Sequence, residues 1–183
     1  MTRSAWSTRT VDSIPWQRLT TAYGRGTDIP RLIETKQYGE LAHLIEHQST
    51  LWQTTPWVLL ILLGQLAEKL PEQVTTEEIA LYSAVASAIL IDYMNPQNTV
   101  ESMEELLDEA YLWPEYEEDD EMSWEAEEPP GYEQRPFFSY YYFSYVQLRE
   151  AIPVFVSIMN DNDQQAAAIR ELLSMLDPED SSD

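Results

Sequence analysis

Apolar positions along this chain recur every three to four residues over most of its length, which predicts helices. Ser13, Ile14, Pro15 and Trp16 read as a helix start, and Trp16, Leu19, Thr20 and Tyr23 share one face before Gly24 ends the run. Asp28, Ile29 and Pro30 open a short helix through Lys36, and Tyr38 to Gln48 follows with Leu41, Leu44, Ile45 and Gln48 in phase. Thr55 and Pro56 begin an apolar helix, Trp57 to Lys69, stopped by Pro71. Its apolar residues lie all round, so it is expected to be the central, most buried element.

Thr75 with Glu78 three residues on is a capping box, leading into a helix with Ile79, Tyr82, Val85, Ala86, Ile89 and Tyr93 inward, terminated by Asn95 and Pro96. Thr99 or Ser102 caps another, with Met103, Leu106, Leu107 and Ala110 inward. The period disappears between Trp113 and Pro136, where four prolines predict a long loop or insertion. Helical spacing resumes near Phe138. Tyr141, Tyr145, Leu148 and Ile152 favour helix over strand for the aromatic run Phe137 to Tyr145, and Pro153 predicts a kink or restart. The last helix spans Asp163 to Leu176, and Pro178 to Asp183 reads as a frayed, disordered tail.

The expected fold is therefore all-α: short antiparallel helical hairpins stacked as a small solenoid, with an acidic loop insertion at 113–136 in a single helical domain over 1–183. Ile-Pro begins a helix at both Ile29-Pro30 and Ile152-Pro153, a weak internal similarity consistent with repeated hairpins. A chain of 183 residues with 44% hydrophobic residues is large enough for a real core. It has no cysteine, so disulfides, thiolate metal sites and cysteine nucleophiles are excluded. The polar start Met1 to Val11 and the short apolar stretch Trp57 to Leu63 predict a soluble, cytoplasmic protein without a membrane span.

Charge changes this picture. The first 69 residues carry seven basic and six acidic side chains, whereas the remaining 114 carry three and 27. Fifteen carboxylates fall between Glu101 and Glu133, and no lysine or arginine lies between Lys69 and Arg135. Such a surface repels nucleic acid and anionic lipid and attracts basic proteins or divalent cations. Tyr111, Trp113, Tyr116, Trp124 and Tyr132 are interleaved with the acids, which solvating disordered segments lack and binding surfaces favour. The candidate partner-binding set is Tyr116, Glu117, Glu118, Asp119, Asp120, Glu121, Trp124 and Glu125, with Tyr116 and Trp124 as anchors and the carboxylates in phosphate-like positions. The bland alternative is a solvated insertion with no partner.

His43-Leu44-Ile45-Glu46-His47 spells the inverted zinc-peptidase motif, two imidazoles one helical turn apart with a carboxylate between. Only two histidines exist to supply it, and a structural role for His47 at a helix end is the simpler reading. Glu115 to Glu128 lacks the ligand order of an EF-hand, and no phosphate-binding loop, dinucleotide glycine pattern or nucleophile elbow occurs. Gly24-Arg25-Gly26 reads as a turn. No cofactor is expected, and no enzymatic activity.

The segment Trp16 to Leu66 resembles small bacterial proteins with HEAT-like helical repeats. The likeness lies in Trp16-Gln17-Arg18-Leu19, Ala22-Tyr23-Gly24, Asp28-Ile29-Pro30, Ile45-Glu46-His47-Gln48, Thr50-Leu51-Trp52 and Thr55-Pro56-Trp57-Val58. Ala151 to Leu176 resembles one HEAT-type hairpin around the polar turn Asn160-Asp161-Asn162-Asp163. The two stretches cover somewhat under half of the chain, and Pro71 to Pro136 has no counterpart. The resemblance implies a HEAT-like binding scaffold, and some small acidic proteins of this kind serve as immunity proteins that neutralise a toxin. Three functions follow as expectations: an immunity protein binding a basic toxin, such as a nuclease, through the acidic aromatic surface; a HEAT-like adaptor using its concave helical face; and a zinc hydrolase.

Overall fold

The computed structural model describes residues 9–89 and 95–176. Two single-turn 3-10 helices, Val11–Ser13 and Trp16–Arg18, lead into an antiparallel hairpin of β1 (Thr20–Thr21) and β2 (Gly24–Arg25). Helices α1 (Ile29–Glu34) and α2 (Tyr38–Ile45) follow, then a second hairpin of β3 (Glu46–His47) and β4 (Thr50–Leu51). Next come α3 (Thr55–Leu66), α4 (Thr76–Ala88), a 3-10 helix at Met103–Leu107, and α5 (Asp120–Glu125). The last three are α6 (Gln134–Glu150), α7 (Ile152–Asp161) and α8 (Asp163–Leu176). The protein is thus mainly helical, with two small β-ladders that the apolar spacing did not predict.

The first hairpin replaces the helix expected over Trp16 to Tyr23. Trp16 and Leu19 are buried as their spacing suggested, but Thr20 and Thr21 are β-branched and Gly24 sits at φ +114°, which turns the chain back instead. Long-range bonds fix the result: Ala22 N–H donates to the Leu44 carbonyl at 2.9 Å, and the Thr54 N–H and hydroxyl donate to the Thr20 carbonyl at 3.3 and 3.1 Å. The second hairpin turns through Gln48 and Ser49 at φ 52° and 62°. Its end is held by Tyr141, whose hydroxyl accepts from Leu51 N–H at 3.1 Å and donates to the Ser49 carbonyl at 3.2 Å.

Helix α3 is buried on nearly every side, as its unbroken apolar composition requires, and it packs against α6, eighty residues away in sequence. Helix α4 lies between α2 and α8. One contiguous cluster of buried apolar side chains runs from Ile14 to Leu176 and draws on every one of these helices except α5. Sequence-adjacent hairpin packing holds for α7 with α8, which meet around Asn162, and more weakly for α1 with α2. The chain restarts at Ile152-Pro153 after α6, as the proline predicted.

Two further expectations are corrected. The amphipathic helix expected near Met103 to Ala110 is a 3-10 helix ending at Leu107, with Ala110 exposed. The acidic stretch 113–136 is not all loop, because it contains α5, and α6 begins at Gln134 with Pro136 harmlessly in its first turn. Tyr93 and the tail Pro178 to Asp183 lie outside the described residues. No helix among the described residues is long and apolar enough to cross a membrane.

Candidate functional site

Five adjacent acids from Glu117 to Glu121 repel one another, so α5 needs outside support. Their position in the first turn suits the helix dipole, which favours negative charge at an N-terminus. The larger contribution comes from the body of the protein. Arg25, whose side chain is only 6% exposed, donates to both Asp120 carboxylate oxygens and to the Tyr116 carbonyl at 3.2 Å, and is itself oriented by the Gln17 carbonyl at 2.8 Å. Hydrogen bonding to Asp120 raises the Arg25 pKa over the opposing cost of burial, so the cation is fixed as well as the geometry.

Arg25 is one of three such ties. Arg9 pairs with Glu104, and Arg18 holds Glu109 in a fork at 2.6 and 3.0 Å. The Arg18 pair lowers the Glu109 pKa, the hydrogen bond being the leading cause. Arg18 also makes a reciprocal backbone link, its Nε donating to the Trp113 carbonyl at 2.7 Å while Trp113 N–H donates to the Arg18 carbonyl at 3.0 Å. Charge segregation along the chain is therefore partly reversed in space: three N-terminal arginines neutralise three carboxylates of the acidic segment and hold it down. The expectation that the whole segment forms one unpaired negative surface is corrected to a pinned segment with an unpaired outer edge.

That edge is well defined. Glu117, Glu118, Asp119, Glu121 and Glu125 are exposed and make no ion pair among the described residues, and the same holds for Glu127 and Glu128. Of the proposed acids only Asp120 turns inward. Tyr116 is 64% exposed and Met122 69% exposed, so an apolar pair stands among the carboxylates. Trp124 has a double role. It is 48% exposed, while its ring lies 4.6 Å from that of buried Trp113 and 5.9 Å from that of Tyr132. Sequence spacing proposed Trp124 as a partner anchor only; it is also what fastens α5 to the core. Met122 was missed, because aromatics were sought and methionine equally serves adaptable contacts.

The far end of the segment is clamped by polar bonds within an aromatic wall. The Tyr132 ring faces those of Trp52 and Tyr140, and its hydroxyl pairs with that of Thr20. Burial pushes the Tyr132 phenol well above the ordinary tyrosine range, so it stays protonated. Tyr140 donates to the Gly131 carbonyl, and the Gln53 amide bridges Thr20 on one side to the Tyr111 carbonyl, at 2.8 Å, on the other.

The histidine motif is not a single helical site. Helix α2 ends at Ile45, placing His47 in β3, where its Nδ1 lies 3.3 Å from the Tyr23 hydroxyl, and Glu46 accepts from the Ser49 N–H at 2.8 Å. His43 is exposed on α2. The premise of two imidazoles one turn apart is thus not met, and among the described residues no three His, Asp or Glu side chains cluster to hold a metal ion.

Arg25→Met is expected to loosen α5 while leaving the core intact. Losing a charge-assisted pair costs about 1.5–3 kcal/mol, so local opening should rise at least tenfold. The measurement is cleavage by a glutamate-specific protease within 115–128, which should accelerate accordingly. An unchanged rate would show that the segment is secured by Trp124 and the other contacts without Arg25.

Comparison with family models, with characterised proteins and with solved structures gives no match for this chain.

Proposed function

We propose that this chain is a non-enzymatic, cytoplasmic immunity protein, which binds and neutralises a basic toxin through the outer edge of its acidic segment. The observation that carries the reading is the exposure of Tyr116, Met122 and Trp124 within nine residues, ringed by carboxylates that, Asp120 apart, make no ion pair among the described residues. These three are most of the exposed large apolar side chains among the described residues. Carboxylates attract a cationic surface over distance, and exposed apolar anchors then hold it once water is expelled. Pinning by Arg25 and Trp124 lowers the ordering cost of association, which a disordered tail would meet in full. A nuclease suits the charge pattern, because carboxylates along a ridge can occupy a cleft built for phosphates.

A HEAT-like arrangement would supply the rigid support, and the α7–α8 hairpin is the part of the fold that favours it. An adaptor using a concave helical face would leave the acidic edge without a role. Removing 115–133 is a poor discriminator, since Gly131 and Tyr132 are structural. The better test neutralises Glu117, Glu118, Asp119 and Glu121 together as amides and measures binding to the protein product of the adjacent reading frame, or to a partner captured from the native strain. Association is expected to slow by about tenfold or more and to lose most of its salt dependence. Unchanged, salt-independent association would transfer the function to the helical face.

A further inference from the structure

Beside the acidic edge lies an open cavity of about 360 Å³, bordered by the first β-hairpin, α1 and α2. Its size is near the lower limit for ligand sites, enough for one long side chain and not for a dinucleotide. Leu44 supplies apolar wall over the buried Leu32, while Asp28 and Glu40 supply carboxylates and Tyr23 stands at its margin, 67% exposed. The Tyr23 ring is held in place by His47, edge-on at 5.5 Å. Asp28 is engaged by Arg31 at 3.1 Å, and Arg25, which also lines the cavity, is matched by Asp120. Glu40 is exposed, lies within the field of Arg31 and makes no ion pair among the described residues, and His43 lines the same wall.

Arg25 also connects the cavity to the acidic edge, because it lines the one and bonds to Tyr116 and Asp120 of the other. We propose that this cavity is a second anchor point of the same interface, receiving one lysine or arginine side chain of the basic partner. The aliphatic stem packs on Leu44, the cationic head meets Glu40, and the exposed Tyr23 face offers a cation–π contact. The inference rests on the acidic-edge reading for the identity of the occupant, but its residues lie on different elements and can be tested separately.

The probes are fluorescein-labelled decalysine and decaarginine, titrated against the full chain by anisotropy at low ionic strength. Glu40→Gln should weaken binding about threefold, as for one exposed pair, and Glu40→Lys about tenfold; Tyr23→Ala should cost about fivefold. Glu171→Lys, an equal charge change on exposed α8, is the control and should have less than half the effect of Glu40→Lys on a logarithmic scale. Thermal melts establish that each variant folds, and Glu40→Gln preserves shape where Tyr23→Ala does not. A stronger response with decaarginine than with decalysine assigns the head group as guanidinium, and the reverse as ammonium. If Glu40→Lys and Glu171→Lys weaken both probes equally, the cavity is not a site. If the four-amide variant of the acidic edge binds normally while Glu40→Lys does not, the cavity stands and the edge reading falls.

Discussion

Lys69→Met is expected to destabilise the protein by about 3 kcal/mol, seen as a lower denaturant midpoint at unchanged slope. Glu78 is fully buried, and its carboxylate is held by the Lys69 ammonium at 2.7 and 2.8 Å and by the Tyr82 hydroxyl at 3.3 Å. Lys69 donates a third bond, to the Tyr38 hydroxyl at 2.6 Å, and is itself only 13% exposed. Methionine fills the stem but leaves a carboxylate with no cation inside the junction of α2, α3 and α4. The double variant Lys69→Met, Glu78→Gln should recover most of the loss, since removing both charges removes the unpaired one. Additive single losses would mean that the two groups act independently.

The pH dependence has a definite sign. Burial alone would lower the Lys69 pKa, but the bonds to Glu78 and Tyr38 outweigh it and the net shift is upward. The folded state therefore holds this proton more tightly than the unfolded chain does. Its stabilising contribution is complete at neutral pH and is lost as pH rises above about 10.5. The gap between wild type and Lys69→Met should be constant through the neutral range and narrow in that alkaline window.

This cluster also marks where sequence reasoning ends. Thr75 and Glu78 were legible as a capping box, and Thr75 does accept the Glu78 N–H at 3.2 Å. Nothing in the spacing said that the Glu78 side chain turns inward, because Lys69 lies across a proline turn and Tyr38 comes from α2, and only Tyr82, one turn on in α4, is a local partner. Helices α3, α4, α6, α7 and α8 were readable because each repeats its apolar residues through several turns. The two hairpins were not, since two-residue strands have no period and Gln48 and Ser49 adopt positive φ without a glycine to announce it. At the candidate site the acids and aromatics were visible in the chain. Their attachment was not, because Arg9, Arg18 and Arg25 reach partners more than ninety residues away.

The second large effect is expected at the exit of the acidic segment, where Gly131→Ala should cost about 3 kcal/mol from backbone strain and overpacking together. Gly131 sits at φ +79°, a conformation that any side chain strains. A Cβ there would land on the Gln53 amide nitrogen and lie 2.8 Å from the Tyr140 hydroxyl and 2.9 Å from the Tyr111 carbonyl. None of these can yield cheaply. Gln53 is 1% exposed and accepts from the Thr20 N–H and hydroxyl at 3.0 and 3.1 Å, so displacing its amide leaves buried polar groups unpaired. Gln53→Ala should be destabilising by itself for that reason, yet it clears the space a methyl needs. The double variant should then be less destabilised than the sum of the two, a coupling that equilibrium denaturation of the four proteins would measure. Strict additivity would place the whole cost in the backbone. A loss below about 0.5 kcal/mol, the range of an ordinary surface change, would mean that the clamp does not fix this end. The acidic edge would then depend on Trp124 and the three arginine ties to be presented as a rigid surface.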